Sequence, residues 1–89
     1  MSTIIIRHRV ADFDAWKPVF DEHGSVRREH GLTDNAVLRD EDDPNVVTLL
    51  LGTEDTARAR EFLGSDSLRE AMQGAGVVSQ PEVWIANEA

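Results

Sequence analysis

The stretch VVTLLLG, Val46 to Gly52, decides how the rest of the chain must be arranged. Its β-branched and leucine residues suit a strand. Alternation sends Val46 and Leu50 to one face, and Val47, Leu49 and Leu51 to the other. Both faces are therefore apolar, and a strand of this kind needs cover on both sides.

Working outward, TDNAVLRD at 33–40 reads as a strand joined to it through the turn EDDPN, so the two are antiparallel neighbours. TIIIRHRV at 3–10 is a further strand, with Ile4, Ile6, His8 and Val10 on one face and Ile5, Arg7 and Arg9 on the other. PEVWIANE, near the end, is a fourth. Between the first two strands lies DFDAWKPVFDEHGSVRREHG, Asp12 to Gly31, whose Phe13, Trp16 and Phe20 recur at helical spacing. Asp12 or Asp14 can cap this helix and Gly31 can stop it. Pro18 implies either a helix starting near Lys17 or a kink. A second helix begins after Thr53 and breaks at GSDS. Its later part carries Leu68, Ala71, Met72 and Ala75 as one buried stripe and ends at Gly74 and Gly76.

The order β-α-β-β-α-β belongs to the α+β class and is ferredoxin-like, with both helices on one face of a four-stranded antiparallel sheet. The other face would be bare, although Leu50, Ile5 and Trp84 populate it. An exposed apolar face of this size calls for a cover, and a second copy related by a two-fold axis is the simplest one. A homodimer packed sheet to sheet, a dimeric α+β barrel, is therefore expected.

The 89 residues amount to a single domain, 1–89. The absence of cysteine excludes disulfides, zinc–thiolate sites and cysteine nucleophiles. No signal-peptide pattern or membrane-length apolar run occurs, and a cytoplasmic location is expected. With 17 acidic against 9 basic residues the net charge is −8, which disfavours nucleic acid and anionic membranes as partners.

On a helical wheel with Trp16 at zero, Phe20 falls at about 40°, His23 at about 340°, Arg27 at about 20° and His30 at about 320°. A continuous helix thus carries His23, Arg27 and His30 on its sheet-facing stripe. If the strand face of Ile4, Ile6, His8 and Val10 meets the helices, His8 borders the same layer. Buried arginine and histidine are costly unless paired or set beside a wet cavity. One reading is a pocket between sheet and first helix, walled by Trp16 and Phe20, for an apolar ligand bearing a carbonyl, phenol or carboxylate. The other is a fraying helix with Arg27 extended to solvent and His30 exposed.

The segments IIIRHRV, VADFDAWKPVFDEH, DEDDPNVVTLLL and GVVSQPEVWI together resemble small bacterial members of the dimeric α+β barrel superfamily related to antibiotic-biosynthesis monooxygenases and polyketide cyclases. The resemblance implies fold and dimerisation, with small molecules bound between sheet and helices. It does not fix an activity, since the superfamily also holds haem-degrading enzymes, muconolactone isomerases and ligand sensors. Haem degradation there uses a histidine on the second helix, and no histidine follows His30. In the plant-type cyclases a first-strand histidine is comparable to His8, but the accompanying tyrosine and later histidine are missing.

The chemistry these residues could supply is proton abstraction by neutral His8 or His23, with Arg27 holding the resulting enolate or carboxylate. Trp16, Phe20 and His30 would contact an aromatic, polyketide-like ligand, and no cofactor is expected. A cofactor-independent cyclase or monooxygenase is one functional expectation. A non-catalytic metabolite-binding or dimerisation module is the other. Asp40 to Asp43 lack the calcium-loop pattern and read as a solvated turn. His23 and His30 are spaced unlike a helical metal pair, and no phosphate loop, G-x-S-x-G or dinucleotide fingerprint occurs.

Overall fold

The computed structural model describes residues 1–89. Eight elements follow in order: β1 (Ser2–Arg9), α1 (Phe13–Glu22), α2 (Gly24–Glu29), β2 (Leu32–Arg39), β3 (Val46–Thr53), α3 (Thr56–Leu63), α4 (Asp66–Gly74) and β4 (Glu82–Asn87). The strands form one antiparallel sheet in the order β2-β3-β1-β4. This is the ferredoxin-like arrangement, with each expected helix delivered as two shorter ones. The two most apolar strands, β1 and β3, occupy the centre, and the more polar β2 and β4 take the edges, where unpaired backbone meets solvent.

Register turns the alternation of the sequence into two different faces. Ile4 stands opposite Leu51 and Ile85, and all three point toward the helices. Ile4, Ile6, Val47, Leu49 and Leu51 are buried there with Trp16, Phe20, Ala59 and Phe62. On the opposite face Ala36, Leu50, Ile5 and Trp84 form a row across all four strands. Nothing in the chain covers this row, and Trp84 and Leu38 remain 49% and 47% exposed.

The helix starts follow their caps. The carboxylate of Asp12 accepts from the amide of Asp14, that of Asp55 from Arg58, and the hydroxyl of Ser65 from Leu68. Pro18 neither begins α1 nor breaks it. It lies inside the helix on the exposed side, where water can satisfy the carbonyl that its missing N–H leaves free. The interruption falls at His23, whose backbone turns to φ −84° and ψ 4° before Gly24. Gly31 ends α2 at φ +77°, a conformation that favours glycine.

The stripe Leu68, Ala71, Met72 and Ala75 does face inward, but no residue of α4 is fully buried. α4 spans a hollow instead of sealing a core, which corrects the expectation of a buried stripe.

The acidic turn between β2 and β3 is wired to the rest of the molecule. Asp40 accepts from the amides of Asp42 and Asp43 and pairs with Arg7 at 3.3 Å. Asp43 accepts from the amide of Asn45 and pairs with Arg9. These backbone donors, reinforced by the arginines, hold both carboxyls below the usual carboxylate range. Asn45 in turn accepts from the amide of Phe13 at 3.0 Å, tying the turn to the start of α1. No helix is long and apolar enough to cross a membrane.

Candidate functional site

The hollow lies between the helix-facing side of the sheet and the four helices. Ile6 and His8 of β1 with Leu49 and Leu51 of β3 form its floor. Trp16, Phe20, His23 and Arg27 line the side given by α1 and α2. Phe62, Leu63, Leu68, Ala71 and Met72 close it from α3 and α4, with Ser67 adding a hydroxyl. The cavity holds about 80 Å³ and its walls are mostly apolar.

His8 reaches this floor because β1 alternates strictly, so it shares the helix-facing side with Ile4 and Ile6. Its residue is only 4% exposed. Its Nδ1 is buried without a hydrogen-bond partner, a rare state for a polar atom. Burial holds the imidazole below its ordinary range, and an interaction with its own backbone offsets part of that. At pH 7 the ring is neutral, with one nitrogen able to accept.

Trp16 stands edge-on to His8, with ring centroids 5.7 Å apart and planes at 70°. It is the middle of an aromatic row on α1, 5.7 Å from Phe13 and 4.9 Å from Phe20. A guanidinium caps each end. Arg39 lies 3.9 Å over the Phe13 ring and Arg27 lies 3.6 Å over the Phe20 ring.

Arg27 is buried, as the wheel places it, and does not extend to solvent. Its charge is matched by Asp34 in a bidentate pair, Nε to Oδ1 at 2.8 Å and Nη2 to Oδ2 at 3.0 Å. Asp34 was missed from sequence. It meets Arg27 because β2 carries a bulge between Asp34 and Ala36, which leaves both Asp34 and Val37 opposite helix-facing residues of β3. The only local signal was Asp-Asn within a strand of otherwise suitable residues.

His23 is half-buried at the α1–α2 junction and contributes to the cavity wall. His30 does not. Its ring packs on Phe62 at 4.7 Å, outside the cavity lining. Arg27 keeps its place on the stripe across the turn at His23, but α2 terminates at His30 itself. The structure thus brings together His8, Trp16, Phe20, His23 and Arg27, and separates His30 from them. No group of three or more histidine or carboxylate side chains is placed to hold a metal ion.

Neither a family model nor any curated protein matches this sequence. Solved structures match its fold over the whole chain. An antibiotic biosynthesis monooxygenase is 14% identical, covers 100% of this chain and 99% of its own, and superposes with a TM-score of 0.71. A variant of SnoaB, a cofactor-independent oxygenase from Streptomyces nogalater, is 18% identical over 98% of this chain and 91% of its own, with a TM-score of 0.73. Rv0793 from Mycobacterium tuberculosis is 14% identical over 99% of this chain and 94% of its own, with a TM-score of 0.70. The chain has the fold of the antibiotic-biosynthesis-monooxygenase structures. At these identities the likeness concerns the fold, and function must be argued from the site.

Proposed function

We propose that this protein is a homodimer whose protomers each bind an uncharged aromatic alcohol in the cavity, as a polyketide-like phenol or enol, and use His8 as acceptor and base without a cofactor. The observation that carries this reading is the unpartnered Nδ1 of His8, buried in an apolar cavity. A ligand O–H would supply the missing partner. Because burial keeps His8 neutral, it is ready to accept at pH 7. Removal of the ligand proton leaves an enolate or phenolate and an imidazolium. Such an anion is the nucleophile for ring closure and the electron donor toward dioxygen alike. The fold shared with a cofactor-independent oxygenase supports a reaction of this class.

Carboxylates are the poorer ligands. Arg27 already has a matched counter-ion in Asp34, and a net charge of −8 repels anions on approach. The same pairing favours a second reading, a binding module without turnover, because Arg27 is no longer a free cation for a developing oxyanion.

Calorimetric titration of phenol against native protein and His8→Phe tests the ligand reading. The expected result is binding that weakens about tenfold in the variant, the order of one lost buried hydrogen bond. The pH profile follows from the direction of the His8 shift. Its folded pKa lies below the ordinary histidine value, so native affinity is level through neutral and mildly alkaline pH and falls as the pH drops through that lowered value. Equal binding by both proteins would remove His8 from the site. Product analysis of a bound phenol in air then separates enzyme from binding module.

The dimer is supported by the uncovered row Ala36, Leu50, Ile5 and Trp84. Two copies related by a two-fold axis would bury it in one continuous layer. Light scattering should give twice the chain mass, and Trp84→Glu should shift the population to monomer by placing a charge in that layer. A native monomer would overturn the assembly.

A further inference from the structure

A second hollow adjoins the first. It lies between α4 and the segment running from Val77 into β4, and its volume is about 580 Å³. Ile6, Leu63, Leu68 and Met72 line both spaces, so these four side chains are a shared partition. The linings differ in chemistry. The inner cavity is mostly apolar, with His8, His23, Arg27 and Ser67 as its polar exceptions, whereas the outer groove is half polar, with Arg69, Gln73, Ser79 and Gln80 on its walls.

Size makes the two spaces interdependent. An apolar cavity of roughly 150 Å³ admits a benzene ring. The inner cavity, at about 80 Å³, is near half of that. Even a single-ring ligand must therefore displace a wall, and a longer one must extend beyond the partition. The partition can yield, because Leu68 and Met72 belong to α4, which has no fully buried residue. The opposite wall of the groove is firm. Val78 donates to the carbonyl of Arg9, Ala11 donates to that of Gly76, and the Ser79 hydroxyl accepts from the amide of Arg9 at 2.8 Å.

We infer that the groove between α4 and β4 is the outer half of one ligand site, taking the polar far end of an elongated aromatic alcohol whose hydroxyl end reaches His8. This rests on the binding reading above and extends it, since it specifies length and polarity. The ligand class is at least two linked or fused rings, apolar in the middle, with hydrogen-bonding groups at both ends. Gln73, Gln80 and Ser79 would receive the outer group, and Leu68 and Met72 would flank the middle.

Two probes and two variants test this. Phenol is long enough only for the inner cavity, which must open at the α4 wall to admit it, and 4,4′-dihydroxybiphenyl is long enough for both. Val83→Phe narrows the outer groove from β4, where Val83 is 45% exposed and a larger aromatic suits a strand. Arg69→Phe narrows it from the exposed flank of α4, and a native thermal transition confirms that each variant folds. In native protein the biphenyl should bind at least tenfold more tightly than phenol. In either folded variant that advantage should shrink to about twofold, with phenol affinity unchanged. An undiminished advantage in both variants would overturn the inference and leave the inner site standing. Failure of both probes to bind native protein would overturn the binding reading itself, and this extension with it. A shift of Val83→Phe from dimer to monomer would assign the groove to a second copy and so reject the ligand role.

Discussion

Replacing Trp16 with alanine is expected to destabilise the fold by about 3–5 kcal/mol, the range for truncating a large buried aromatic. At roughly 0.05–0.15 kcal/mol per residue a chain of this length holds only about 4–13 kcal/mol in total. The loss is therefore a large share of all stability, equivalent to a fall in Tm of about 15–30 °C. Trp16 is 3% exposed and touches both neighbouring rings and the His8 edge. Its removal would merge its own volume with the existing hollow, and the sheet cannot collapse to fill it because β1 and β3 are fixed by their ladder. Trp16→Phe should recover most of the loss. Urea titration of the three proteins measures both effects. A cost near 1 kcal/mol for the alanine variant would mean that water readily fills the space, and the cavity would no longer count as apolar.

The second large effect is an asymmetry between two partners. Asp34→Ala leaves the buried guanidinium of Arg27 without its counter-ion. Breaking a buried pair from one side costs about 3–5 kcal/mol, reduced here to about 2–3 kcal/mol because Asp34 is 37% exposed and water can enter in its place. Arg27→Met removes the buried charge instead, keeps apolar bulk over Phe20, and leaves Asp34 at the surface to be solvated. Its cost should be about 1 kcal/mol, from the lost stacking of cation on ring and the lost pair. Thermal or denaturant unfolding of both variants gives the order directly. Equal costs would mean that the pair behaves as an exposed ion pair, despite the burial of Arg27.

The layered sheet was legible because side chains on a strand alternate. Ile4, Ile6 and His8 had to share a face, as did Leu49 and Leu51, and a slip of one residue would have turned all of them outward. The same rule put His8 on the face of Ile4 and Ile6, and the packed core then set that face beside the helices. The helix starts were legible in Asp12 and in the break at GSDS, since capping depends on a few neighbouring residues. Trp16, Phe20 and Arg27 followed from a helical period that holds whether or not the helix is perfectly straight.

Other features depend on groups far apart in the chain. Pro18 reads locally as a breaker, yet the helix passes through it because its exposed face lets water replace the missing bond. His30 left the stripe because α2 ends at it, and Phe62, from α3, offered it a ring to pack on. The partner of Arg27 required a bulge in β2, which depends on pairing with β3 and has no local period of its own. The stripe of α4 was visible, but only the separation between helices and sheet decided that it would border a cavity instead of sealing one. Periodicity and caps are short-range properties, so the sequence alone determined the elements, their order and their inward faces. Cavity, bulge and ion pair arise where distant elements meet, and the tertiary structure alone decided those.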